Sequence, residues 1–195
     1  MKKLLIIGGG GHAKSLIDNV ISSNTYKPIG IIDKEKKVGE KVLGIPVIGN
    51  DDLLNKLVLD GIKNVAIGLG STGNNMLRKK FFTKAKKLGY NIPPIVHHRA
   101  YVSEFTEIKC GVQVFANSVI NSNTFVDENS VINTSNVIEH DCVIGKNIFT
   151  GPGVVICGNV NVQENVFIGS NSTLIPNLTI EKNIFIAAHS LISKK

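Results

Sequence analysis

From Val102 onward an aliphatic residue returns at every sixth position. The series runs through Val102, Ile108, Val114, Ile120, Val126, Ile132, Ile138 and Ile144, then Thr150, Ile156, Val162, Ile168, Leu174, Ile180, Ile186 and Ile192. Thr150 alone is not Ile, Leu or Val. Neither a helix of period 3.6 nor a simple alternating strand produces this spacing. One short strand and one corner per repeat does, and three repeats then close a triangular coil. The position four residues after each member is also small or aliphatic, as at Val112, Ser118, Thr124, Ser130, Cys142, Ile148, Val154, Val160 and Val166. Corners of such a coil need backbone at positive φ, which Asn and Gly tolerate. Thirteen asparagines lie between Asn117 and Asn183, in keeping with that need. The region 101–195 has room for about five coils.

The first hundred residues follow a different pattern. Lys3 to Ile7 predicts a short aliphatic strand, and four glycines, Gly8 to Gly11, follow it. Ala13, Leu16, Ile17, Val20 and Ile21 then mark one face of a helix. A strand, a glycine turn and a helix N-terminus together make a phosphate cradle, because backbone N–H groups and the helix dipole converge on an anion. A second strand, Pro28 to Ile32, ends at Asp33, about 20 residues beyond the loop, where a ribose-hydroxyl ligand belongs. Leu53, Leu54, Leu57 and Val58 predict a helix and Val65 to Ile67 a strand. Gly68-Leu69-Gly70 and a helix around Leu77, Phe81, Ala85 and Leu88 come next. Gly8-x-Gly10-x-x-Ala13 with Asp33 also fits a dinucleotide fingerprint, so an NAD-dependent oxidoreductase is a rival reading. Against it, about 100 residues supply one mononucleotide half, with no second half for a nicotinamide.

Composition sharpens the division. Residues 1–100 carry 17 of the 22 Lys and Arg but 7 of the 15 Asp and Glu, a net of +10, while the remainder carries −3. We expect a boundary near residue 100, with domains 1–100 and 101–195. The basic half suits a phosphate-bearing small molecule. Its scattered lysines, without aromatic interleaving, do not describe a nucleic-acid surface. Cys110, Cys142 and Cys157 have neither the number for a disulfide framework nor a zinc-knuckle spacing. No apolar run reaches the ~18 residues of a membrane span. Leu4 to Ile7 is too short for a signal-peptide core, so a cytoplasmic location is expected.

One constellation carries chemistry. Asn133-Thr134-Ser135-Asn136-Val137-Ile138-Glu139-His140-Asp141-Cys142-Val143-Ile144-Gly145 places a histidine at a coil corner, between two carboxylates. Acyl transfer from a thioester to an amine or hydroxyl needs a base that works near neutral pH, and His supplies it. Asp141 or Glu139 has the chemistry to hold the second ring nitrogen.

Gly8 to His12, Asp33, Ala66-Ile67-Gly68 with Asn75-x-x-Arg78-Lys79-Lys80, and this segment, in this order, resemble the sugar N- and O-acetyltransferases of the hexapeptide-repeat family, whose repeat the six-residue period also matches. These include the UDP-amino-sugar N-acetyltransferase of bacillosamine synthesis and a branch that O-acetylates sialic acid. The resemblance covers nearly the whole chain. It implies a Rossmann-like α/β domain followed by an all-β left-handed parallel β-helix, an exception to the right-handed crossover rule. It implies an enzyme that acetylates a sugar amine or hydroxyl from acetyl-CoA, with His140 as base and Asp141 as its partner. It places Gly10, Gly11 and His12 at the nucleotide sugar, Asp33 and Lys34 at its nucleoside end, and Gly68 and Asn133 elsewhere along the acceptor. Phe149, where relatives often carry His, and the backbone at Ser170 and Ala188 fall at the coenzyme. The resemblance also implies a homotrimer, and the geometry agrees, since one flat prism face buries too little of so long a ligand. No metal is expected, because His140 and His189 do not make a zinc set. A non-catalytic scaffold is the remaining rival, and the His140 segment argues against it.

Overall fold

The computed structural model describes residues 1–193. Lys194 and Lys195, the last two positions of the expected second domain, lie outside them. The chain divides into two compact units. One comprises Met1–Ser71 with Met76–Pro93, and the other Thr72–Asn75 with the chain from Pro94 onward.

The first unit is a five-stranded sheet with three helices. Strands β1 (Lys2–Ile7), β2 (Tyr26–Ile32), β3 (Lys41–Val42), β4 (Ile45–Gly49) and β5 (Asn64–Ile67) are arranged β3-β4-β2-β1-β5. All neighbours are parallel except β3 and β4. β1 lies between β2 and β5, and its Leu4, Leu5, Ile6 and Ile7 are buried on both faces, as an interior parallel strand requires. Helix α1 (Gly11–Ser23) buries Ala13, Leu16, Ile17 and Val20 and ends at Asn24, whose left-handed backbone (φ 53°) caps it. A 3₁₀ turn, Asp51–Leu53, leads into α2 (Leu54–Leu59), so Leu53 lies just before the helix predicted for it. Helix α3 (Met76–Lys87) follows β5. The strand order outward from β1 is that of one mononucleotide-binding half.

Among the described residues, the second unit is a β-helix of seventeen two-residue strands, from β6 (Ile95–Val96) to β22 (Leu191–Ile192). They stack as three sheets of six, five and six parallel strands. Each residue pairs with the one eighteen positions on, for example Val119 with Val137 and Val137 with Val155. From Val114 to Leu174 the sixth-position residues are all fully buried. The break in the series has a function in packing. The Thr150 hydroxyl donates to Val131 O at 3.0 Å and accepts from Asn133 N at 3.1 Å. In the second inward column the small polar residues reach carbonyls fifteen positions on. Ser118 donates to Asn133 O, Thr124 to Glu139 O, Ser130 to Gly145 O and Ser172 to Ala187 O.

The corners are as regular as the strands. Every sixth residue from Gly111 to His189 has positive φ, and most of them are asparagine. A buried Ile or Val contributes ~1.5–3 kcal/mol, against ~0.5–1.5 kcal/mol for a corner hydrogen bond. The aliphatic stack therefore dominates stability, and the corner residues set the shape.

The first strand of the β-helix lies six residues before the predicted series, with Val96 in the same phase as Val102. The short segment Thr72–Asn75 also joins this unit. Asn75 Nδ2 donates to Asn147 O at 2.9 Å, and Gly73 lies so close to the Phe185 ring that a Cβ there would fall 2.8 Å from it.

Candidate functional site

The glycine loop is built by close approaches on one side and open space on the other. Gly8 has φ +99°, and a Cβ there would fall 2.7 Å from the Leu69 side chain. A Cβ at Gly10 or Gly11 would meet nothing within 4 Å. Protein packing thus demands Gly8 but not Gly10 or Gly11, which border the open N-terminus of α1. No side chain caps that end at Gly10, and the first turn holds no acid. The dipole of the helix favours an anion at this end. His12 stands in this first turn, with Gly70 against it, where a Cβ would lie 2.9 Å from His12 Cβ.

Asp33 does local work. Its Oδ2 accepts from Gly9 N at 2.6 Å, and its Oδ1 accepts from Glu35 N at 2.8 Å and Lys36 N at 3.2 Å. The carboxylate ties the glycine loop to the end of β2. Gly68 is a packing glycine, because a Cβ there would fall 2.8 Å from both Gly8 O and Ile6 Cγ2. Arg78 is buried and donates from Nη1 to Ile67 O (2.7 Å) and Leu69 O (3.0 Å), holding the loop after β5. Burial pushes its pKa down to about 9, so it stays charged at neutral pH. A cleft of about 130 Å³ opens between Gly8, Asp33 and Lys34 on one side and Leu69, Leu77 and Phe81 on the other. Those apolar walls can take a flat ring. A wider hollow of about 580 Å³ runs along α3, edged by Lys79, Lys80, Lys84 and Lys87.

In the β-helix, His140 occupies a corner and is exposed. Its Nδ1 lies 2.7 Å from Asp141 Oδ2. Glu139, the other carboxylate the sequence offers, accepts instead from Asn121 Nδ2 at 2.9 Å. Asp141 in turn accepts from Asn123 Nδ2 at 2.6 Å. Asn123 first and His140 second hold the Asp141 carboxyl below the usual carboxylate range. With Nδ1–H bonded to a carboxylate, the imidazole presents Nε2 as its basic nitrogen. The backbone is clamped on both sides. Thr124 donates to Glu139 O at 3.0 Å, and His140 O accepts from Asn159 N at 3.0 Å. The ring lies over Gly158, where a Cβ would fall 2.9 Å from Nε2.

The remaining predicted residues lie at other places on the coil. Asn133 occupies the preceding corner, one strand (Val137–Ile138) before His140, and its Oδ1 accepts from Thr134 N at 2.9 Å. Ser170 is stacked over Gly151, where a Cβ would fall 2.5 Å from Ser170 N, and Ala188 is exposed one coil further on. Phe149 is 5% exposed. Its ring stacks on Phe167 at 5.9 Å and packs with Phe115 and Val131, so an aromatic column occupies the place expected for a coenzyme contact. Asn123 and Gly158 escaped the motif reading. They stand eighteen residues before Asp141 and eighteen after His140, one coil in each direction, so the repeat itself carries the signal.

Residues 3–85 match the PglD N-terminal domain family. Across both units the chain is similar to PerB of Caulobacter crescentus, solved with CoA and GDP-perosamine. The two are 33% identical over 96% of this chain and 87% of that one, with a TM-score of 0.88. The chain belongs to the hexapeptide-repeat sugar acetyltransferases. It is an acyltransferase, and its second unit is a left-handed β-helix. The acetyltransferase domain of PglB from Neisseria gonorrhoeae, in complex with acetyl coenzyme A, is 25% identical over 97% of both chains, with a TM-score of 0.76. WeeI from Acinetobacter baumannii shares the fold, at 20% identity, 100% and 92% coverage and a TM-score of 0.86. Membership of this family removes the oxidoreductase and scaffold readings. Among the described residues, no helix is long and apolar enough to cross a membrane, and no three His, Cys, Asp or Glu converge as a metal site.

Proposed function

We propose that this acetyltransferase moves the acetyl group of acetyl-CoA onto the amino group of a nucleotide-linked amino sugar, with His140 as general base. It acts as a cytoplasmic homotrimer. The observation that carries the reading is the bond of His140 Nδ1 to Asp141, which leaves Nε2 as the base on an exposed corner. The acceptor nitrogen attacks the thioester carbonyl, forming the C–N bond. Nε2 takes the proton that nitrogen sheds, the C–S bond breaks, and the departing sulfur receives the proton. Asp141 keeps the ring in the required tautomer and balances the imidazolium that forms.

The acceptor's phosphates bind at Gly10, Gly11 and His12, where open space meets a helix N-terminus. Its nucleoside ring enters the cleft walled by Leu69, Leu77 and Phe81, with Lys34 at the lip and Asp33 fixing the loop. Asn133 serves the sugar, and the backbone at Ser170 and Ala188 serves the coenzyme. The complexes of PerB with CoA and GDP-perosamine support both ligand classes.

The test is acetyl transfer against a panel of UDP-, dTDP- and GDP-linked amino sugars and free sialic acid. Turnover of a nucleotide-linked amine, lost in His140→Ala, supports the reading. Turnover of sialic acid alone would replace it with sugar O-acetylation.

A further inference from the structure

Two columns of corner residues behave differently. In one, Asn129, Asn147, Asn165 and Asn183 form an unbroken ladder. Each Nδ2 donates to the Oδ1 one coil on, at 2.9, 3.2 and 3.1 Å. The other column is Asn123, Asp141, Asn159 and Asn177. Asn123 Nδ2 donates to Asp141 Oδ1 at 2.6 Å, and Asn159 Nδ2 donates to Asn177 Oδ1 at 2.7 Å. Asp141 has the backbone of a rung, with φ 60° beside 57° at Asn123 and Asn159. A carboxamide accepts and donates, whereas a carboxylate only accepts. The chain of donors therefore stops at Asp141, and a new one starts at Asn159.

We propose that Asp141 is an interrupted rung, and that Asn123 is a positioning residue for acetyl transfer. Asn123 holds Oδ1 in the ladder, which fixes the carboxylate plane and turns Oδ2 onto His140 Nδ1, 2.7 Å away. A ladder asparagine at 141 would satisfy the column but would offer His140 no second acceptor oxygen. The role rests on the reading of His140 as base. Asn123 itself need touch neither substrate, because it acts through Asp141 on the ring.

The test compares Asp141→Asn, Asn123→Gly and His140→Ala in the full chain. Glycine is chosen at 123 because it accepts positive φ while losing the carboxamide. In Asp141→Asn the ladder can run from Asn123 to Asn177, so Tm should hold or rise while kcat falls at least ~10²-fold, with the wrong tautomer favoured. Asn123→Gly should lower kcat per folded molecule about tenfold, with the KM of both substrates unchanged and Tm close to that of the parent, whereas a loosened fold would lose Tm along with activity. A clear fall in Tm for Asp141→Asn would overturn the interrupted rung. A kcat within twofold of the parent in Asn123→Gly would overturn the positioning role. If His140→Ala is inactive and both other variants turn over normally, this proposal fails and the base stands. If His140→Ala turns over normally, both fail.

Discussion

Gly158 lies directly beneath His140: a Cβ at position 158 would fall 2.8 Å from Cε1 and 2.9 Å from Nε2 of the imidazole. The neighbour it would strike is the end of a side chain, not backbone, so the fold can absorb a methyl group there and the ring cannot stay in place. Gly158→Ala should leave Tm close to that of the parent and lower kcat by roughly 10²-fold, through a ring turned away from Asp141. A parallel thermal melt and steady-state assay checks this. Normal turnover would mean the ring position is not what limits the reaction.

Replacing the base itself has a larger effect. His140→Ala should lower kcat by ~10²–10⁴-fold while acetyl-CoA affinity, measured by calorimetry, stays near the parent value. Retained turnover would remove His140 from the mechanism.

Gly11 offers a clean probe of the acceptor site, because a Cβ there meets no protein atom within 4 Å. Gly11→Leu should preserve the fold and acetyl-CoA binding and raise the acceptor KM, by filling the space the phosphates approach. An unchanged acceptor KM would place those phosphates elsewhere.

The Asp51–Lys84 pair sets a pH dependence of stability. Lys84 holds the Asp51 carboxyl below its ordinary value, the two atoms lying 2.6 Å apart. A folded value below the unfolded one gives stability that is present above the unfolded pKa of ~3.9 and lost as pH falls through the folded value. The Tm advantage of the parent over Asp51→Asn should therefore shrink between about pH 5 and about pH 3. A difference independent of pH would show that the charge on Asp51 contributes nothing.

The proposed trimer is tested by complementation. If His140 and the glycine loop of one active site come from different chains, His140→Ala and Gly11→Leu refolded together in equal amounts should regain about one quarter of parent activity. Mixed trimers without recovery would mean that each chain builds its own site.

The sequence by itself determined the β-helix, because a six-residue period admits few other chain paths and each repeat needs only its neighbours. It also determined the strand, glycine loop and helix of the first unit, and marked out the corner carrying His140, since those signals are local. Tertiary structure decided what depends on residues one coil apart or on packing. It chose Asp141 over Glu139 as the partner of His140, because Asn121 occupies Glu139 and Asn123 holds Asp141 in place. It turned Asp33 inward onto the loop and assigned Gly68 to packing, because both lie where β1, β2 and β5 crowd together. It buried Phe149 in an aromatic column whose members are eighteen residues apart. Identity and spacing along a chain report which groups are present and which backbone they favour. Which acceptor a donor finds is settled only when the coils stack.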